Sequence, residues 1–223
     1  VLVGAGPDVL VVANTDSVRA AVEAPAGEDK QKTKPFEPQA KIPVPGRPTH
    51  VAFTASDDAL ILATENGSQI SVFQTSSLIS GNAQPAISIS TNGVSLRALA
   101  PNPDPNSTFV AMVTVNGELL MADLKAGNLV NGPNGPILKN GVSSVSWSNK
   151  GKQLVAGLAD GTADQMTPDG TQKDHIPRPL DLEGECHGES HSILVTPWGD
   201  RINNYSVVHR LARERCLLHG LYP

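Results

Sequence analysis

The sequence predicts an all-β, incomplete β-propeller of three to four blades, and three observations predict it. Units made of a strand and a hairpin recur along the chain, and two independent markers give those units one period. Before residue 187 the chain shows none of the 3.6-residue periodicity that helical repeats would carry between turns.

The clearest unit runs from Val51 to Phe73. Val-Ala-Phe leads into a polar stretch ending at Asp58, and then ALILATENGSQISVF reads as two strands joined at Asn66-Gly67. Asn-Gly suits a two-residue hairpin, whose twist asks for positive φ at both turn positions. The order returns over residues 97–124, with Asn116-Gly117 at the turn, and again over 144–166, with Asp160-Gly161. The turn glycines are 50 and 44 residues apart, and the leading apolar residues Phe53, Leu99 and Trp147 are 46 and 48 apart. A spacing of about 40–50 residues built from short strands is the mark of propeller blades.

An earlier copy is expected over residues 9–22, with Asp16 at its turn. Ile87-Ser88-Ile89 alternates as the fourth strand of the first full blade should. Loops rich in Pro, Gly and Asn separate the units at 101–107 and 131–136, and residues 24–48 are expected to form a longer solvated excursion. That segment carries a charge run from Glu28 to Lys34 and then five prolines, each of which denies a ladder donor.

With 39% hydrophobic residues the chain can supply a core, while 17 Lys and Arg against 22 Asp and Glu leave a formal charge of −5. That balance has the wrong sign for an evident nucleic-acid surface. Cys186 and Cys216 form no CxxC pair, so no disulfide framework or zinc ribbon is read. No apolar run approaches the 18 or so residues that cross a bilayer, and the opening Val1–Val3 lacks the basic lead and length of a signal-peptide core. The chain is expected to be soluble and unsecreted.

Several strings invite an enzyme reading, and each fails on context. Val-Leu-Val-Gly-Ala-Gly-Pro opens like a dinucleotide loop, yet the third glycine of that pattern would fall at Val9, where β-branched residues follow instead of a helix. Cys186, His187, His191, His209, Cys216 and His219 crowd the last part of the chain, in a spacing that matches no common zinc site. Ser190, His191 and Asp200 lack a nucleophile elbow. Asp57-Asp58 reads as a turn, and Asp164, in a returning strand, is expected at an exposed edge because an unpaired buried carboxylate costs several kcal/mol. A hydrolase or lactonase with a metal at the central channel is the alternative from another class. A WD-type platform lacks its Trp-Asp and Gly-His markers here.

Particular strings add to the periodicity. The run from Pro48 to Leu78, the third hairpin with Met166-Thr167-Pro168-Asp169-Gly170, and Lys173-Asp174-His175-Ile176-Pro177-Arg178-Pro179 followed by Leu182-Glu183-Gly184 resemble the N-terminal propeller of the fungal cytoplasmic-filament nucleoporin, over about residues 3–187. The resemblance implies a propeller of seven-bladed type at the cytoplasmic face of the nuclear pore. It also implies a non-catalytic scaffold that docks the DEAD-box RNA helicase of messenger-RNA export beside other nucleoporins. No cofactor, direct nucleic-acid contact or membrane insertion is implied. The family's helicase-docking loops lie on later blades than this chain holds, so no catalytic, cofactor, metal or partner-binding residue is assigned.

The blade pattern stops near Gly188. Residues 1–187 are therefore read as the partial propeller, and 188–223 as a divergent tail outside it. Val207, Leu211 and Leu218 have helical spacing, which predicts a short amphipathic helix from about Tyr205. A retained intron or shifted frame is the preferred origin of the tail, and a basic helix that binds a partner or caps the open edge is the alternative.

Overall fold

The computed structural model describes residues 1–23, 38–65, 67–82, 84–131, 135–178, 192–197 and 205–210. They form five antiparallel sheets. The first holds three strands in chain order, β1 (Leu2–Ala5), β2 (Val9–Ala13) and β3 (Ala40–Pro43), with helix α1 (Thr15–Glu23) between the last two.

Three four-stranded meanders follow. The second sheet is β4 (Pro48–Phe53), β5 (Ala59–Thr64), β6 (Gln69–Gln74) and β7 (Ile87–Ser90), with helix α2 (Thr75–Ile79) after β6. The third is β8 (Leu96–Pro101), β9 (Phe109–Thr114), β10 (Leu119–Asp123) and β11 (Asn128–Leu129). The fourth is β12 (Val142–Trp147), β13 (Leu154–Leu158), β14 (Ala163–Met166) and β15 (Gln172–Ile176). A two-stranded sheet, β16 (Ser192–Pro197) and β17 (Tyr205–Arg210), completes the order.

The sheets stack face to face, and alternation along each strand decides what each side chain meets. In β5, Leu60 and Leu62 join Leu10, Val12 and Ile42 of the first sheet, while Ala59, Ile61 and Ala63 join Val110, Met112 and Leu120 of the third. In β9 the pattern repeats one blade on: Val110 and Met112 face back, and Ala111 and Val113 face Trp147, Leu154, Ala156 and Met166 of the fourth sheet. Both faces of these strands are buried, which is why ALILA and VAMV read as unbroken apolar runs. Each fully buried Leu, Ile or Met contributes about 1.5–3 kcal/mol relative to exposure. The first strands β4, β8 and β12 lie beside one another at the narrow side of the fan, and the last strands β7 and β11 meet at the wide side.

Two hydrogen bonds pin the third and fourth sheets together. Trp147 Nε1 donates to the Ala100 carbonyl at 2.8 Å. The buried Asn102 amide donates to the Gly151 carbonyl at 2.8 Å and accepts the Asp104 N–H at 2.9 Å. A side chain at Gly151, whose φ is 66°, would run into the Asn102 amide, so the close approach needs glycine there.

The fold differs from expectation at five places. Asp16 lies in α1 and not in a hairpin turn; the first hairpin turns at Gly6–Asp8, where the Gly6 N–H donates to the Val9 carbonyl at 2.7 Å. The link between β2 and β3, residues 14–39, is therefore longer than that between β6 and β7, residues 75–86, because it holds α1 and the residues after it. The excursion over 24–48 contains the whole of β3 and the start of β4, its prolines 43 and 48 falling at strand ends where a missing donor matters least; residues 24–37 lie outside the described residues.

The hairpin loops after β9 and β13 have three residues instead of two, and Asn66 of the first predicted turn lies outside the described residues. Thr114 N–H donates to the Glu118 carbonyl and Leu158 N–H to the Thr162 carbonyl, and only the last loop residue, Gly117 or Gly161, has positive φ. Asp164 is buried, as described below. Finally, Tyr205–Arg210 is a strand paired with Ser192–Pro197 in place of the expected helix. Adjacent Val207 and Val208 favour the extended chain, and a pairing partner outweighs a weak helical spacing. The backbone of β16 lies against β12 and β13, and the rest of the tail is outside the described residues.

Asn102→Ala would strand the Gly151 carbonyl and the Asp104 N–H in a buried seam. It is expected to cost about 1–3 kcal/mol in denaturant unfolding, and an unchanged midpoint would show that the latch carries no stability.

Candidate interaction surface

One end of the three full blades repeats the same local devices. Each first strand carries a register shift where it meets the second, between Pro48 and His50, Leu96 and Ala98, and Val142 and Ser144. The extra residues are Thr49, Arg97 and Ser143. A bulge opens a carbonyl on the facing strand, and in two blades a hydroxyl closes it again: Thr49 donates to the Ala63 carbonyl at 3.2 Å and Ser143 to the Gly157 carbonyl at 3.0 Å. The third sheet has exposed Arg97 at this position. Its own carbonyl accepts from His50 Nε2 at 3.1 Å, which requires the proton on Nε2 and links the first strands of two blades.

Main-chain tethers then hold each turn to the segment that enters its blade. Glu65 N–H donates to the Arg47 carbonyl at 2.8 Å, Val115 N–H to Ser95 at 2.9 Å, and Ala159 N–H to Gly141 at 2.7 Å. Ser95 Oγ also donates to the Glu65 carbonyl at 3.0 Å, joining neighbouring blades. The outcome is a row of turns fixed through their backbones, presenting the exposed side chains of Arg47, Glu65, Arg97, Asn116 and Asp160. Val115 adds an apolar point, 57% exposed. A row of this kind is preformed, so a partner does not have to order it on binding.

The outer corner of the fourth sheet is built around Asp164. The residue is paired with Ala156 on one side and His175 on the other, so β14 is an interior strand and its carboxylate is buried. The expected edge exposure does not occur because β15 covers that edge and brings two donors. His175 Nδ1 donates to Asp164 Oδ1 at 2.7 Å and Gln172 Nε2 donates to the same oxygen at 3.1 Å. The His175 side chain remains 54% exposed while that of Asp164 is 8% exposed. The chain then returns over the Asp160-Gly161 turn, where the Arg178 stem lies 3.2 Å from the position a Cβ on residue 161 would take. His175 and Gln172 were not legible as partners of Asp164, since only the strand register brings them together.

The other sequence candidates do not assemble. Gly4 and Gly6 belong to β1 and its turn, with β2 and not a helix following. Asp57 has φ 58°, and its N–H donates to the Thr54 carbonyl at 3.0 Å, which makes Asp57-Asp58 a turn. Cys186, His187, Ser190, His191, Asp200, Cys216 and His219 lie outside the described residues, and His209 is on β17. Among the described residues no group of three or more His, Cys, Asp or Glu is arranged to hold a metal ion.

Two turn carboxylates are held below the usual range. Asp160 accepts from Thr162 Oγ1 at 2.7 Å and Thr162 N–H at 2.9 Å, and Asp169 accepts from the Thr167 hydroxyl and the Thr171 N–H; in each the side-chain hydrogen bond is the largest cause. Because the folded pKa is depressed, their stabilisation is complete above about pH 4 and is lost as pH falls through the folded value. Asp160→Asn and Asp169→Asn are therefore expected to lower stability at pH 7 more than at pH 3. Urea midpoints at the two pH values test this, and an equal loss at both would contradict it.

Comparison with known proteins bears on the whole array. The family model described as the NUP159/214 β-propeller matches residues 1–209. The chain is 51% identical over 187 residues to nucleoporin NUP159 of Chaetomium thermophilum, covering 83% of this chain and 12% of that protein. It is 26% identical over 185 residues to nucleoporin nup146 of Schizosaccharomyces pombe, covering 81% and 13%. It is 36% identical over 148 residues to nuclear pore complex protein Nup214 of Drosophila melanogaster, covering 62% and 8%. The chain thus spans about an eighth or less of the curated relatives it matches. Blade stacking, repeated bulges and a match that runs through every sheet lead to one assignment: the chain belongs to the NUP159/214 β-propeller family of nucleoporins.

Proposed function

We propose that this chain is a non-catalytic docking scaffold of the nuclear pore complex, acting at its cytoplasmic face in messenger-RNA export. The observation that carries the reading is the family match over residues 1–209, together with relatives named as nucleoporins. Family membership supports the nuclear pore as the location. The cytoplasmic face, the other nucleoporins as neighbours and the DEAD-box helicase as the docked enzyme are the finer parts of the proposal.

Physical form supports a scaffold. The sheets are fastened by two-faced burial, so binding at the turns need not disturb the core. The turn end offers charges of both signs around an exposed valine, a surface suited to a polar, electrostatically matched partner. ATP chemistry in such an arrangement belongs to the helicase, and the propeller contributes position: it raises the local concentration of the enzyme where exported particles arrive.

A pull-down from cell extract compares this chain with a form carrying further blades. Weak or absent helicase capture by the short chain and clear capture by the longer form are expected. Strong capture by the short chain would move the docking surface onto the blades described above. Failure of both forms to recover helicase or nucleoporins would overturn the scaffold reading.

A further inference from the structure

Strand alternation divides the fourth sheet into two faces. Leu154, Ala156 and Met166 point back at the third sheet, so Val155 and Ala163, out of phase with them, lie on the far face. Both are only 1% exposed. Gly157, on that same face, is buried as well. These small, covered positions match Ala111 and Val113 on the far face of β9, where the fourth sheet supplies the cover. The fourth sheet is therefore sat upon as it sits upon the third.

We infer that this far face is the seat of a fifth blade and that residues 192–210 of the same chain occupy it, β16 as the first strand and β17 as the second. Position along the chain supports the assignment. The first strands β4, β8, β12 and β16 are each six residues long and begin at Pro48, Leu96, Val142 and Ser192, at intervals of 48, 46 and 50. The second strands begin at Ala59, Phe109, Leu154 and Tyr205, at intervals of 50, 45 and 51. One blade period runs through all four pairs.

Placement in space agrees with the period. The backbone of β12 lies against β8 and β9, the first and second strands of the blade before it, and β16 stands in the same relation to β12 and β13. Pro197 at the end of β16 faces Tyr205 at the start of β17, as Trp147 faces Leu154. The family match ends at residue 209 and so takes in nearly the whole hairpin. One device is not repeated: β16 meets β17 without the register shift of the earlier first strands, so the hairpin continues the stack but not the row of bulges. The propeller then extends past residue 187, and the far face of the fourth sheet is filled from within the chain instead of serving a second protein. This inference does not depend on the helicase reading.

Amide hydrogen exchange read by mass spectrometry on the whole chain tests this. A lone two-stranded hairpin is marginal in water, so protection there reports the seat. Amides of residues 192–197 and 205–210 are expected to exchange about tenfold or more slowly than in an unfolded peptide of the same sequence. Val155→Asp sets a carboxylate in the seat and should speed exchange in both segments about tenfold, with Leu119–Asp123 unchanged. Should Val155→Asp unfold the chain, the near-isosteric Val155→Thr decides by the same selective increase. Exchange at the unfolded rate over both segments, exchange there that the deciding Val155 variant does not alter, or a dimer in sedimentation that this variant dissolves would each overturn the proposal.

Discussion

Burial on two faces is the constraint from which the rest of this structure follows. A strand such as Ala59–Thr64 or Phe109–Thr114 is covered by one sheet on one side and another sheet on the other, so neither alternate set of side chains reaches water. Polarity is thereby driven to the strand ends and the outer strands. Among the described residues the four buried polar side chains are all engaged. Thr91 bonds the Gly67 and Val94 carbonyls, Thr114 exchanges hydrogen bonds with Glu118, Asn102 bridges two blades, and Asp164 is held by His175 and Gln172. Each would cost about 1–3 kcal/mol if left without its partner, so each also specifies one geometry among those a purely apolar stack would tolerate.

That division of labour suits the docking role proposed for this chain. Faces hold the array together and ends remain available, and the ends are anchored largely through the backbone, with the Asp160 side chain adding hydrogen bonds to Thr162 in one turn. The repeated bulge shows how this operates. Its backbone geometry recurs in three blades, yet Thr49 and Ser143 consume their hydroxyls in closing the gap whereas Arg97 projects from the same place. A family can vary such positions without altering the stack.

The same logic explains why the blades are not interchangeable at their rims. Lys41 and Pro43 mark the outer strand of the first sheet, β11 has only two residues, β15 presents Lys173, Asp174 and His175, and β7 alternates Ile and Ser. Edge chemistry contributes little to the stability of a sheet already buried on its faces, so differences there can follow interaction requirements.

Much of this was open to sequence reasoning. Turn glycines spaced by 50 and 44 residues, strands of unbroken apolar character and the Lys173–Arg178 string carried the blades, their order and the family, because each depends on local chemistry repeated along the chain. Contacts between strands distant in sequence were decided only in three dimensions. Asp164 could not be assigned a partner until register put His175 opposite it, and Tyr205–Arg210 took a strand where spacing pointed to a helix because Ser192–Pro197 offered a ladder. Asn-Gly marked where the turns would fall, while the number of loop residues was decided by how the flanking strands met. Local propensity is written residue by residue, but a hydrogen bond across sheets depends on the relative placement of two segments, and packing alone supplies that.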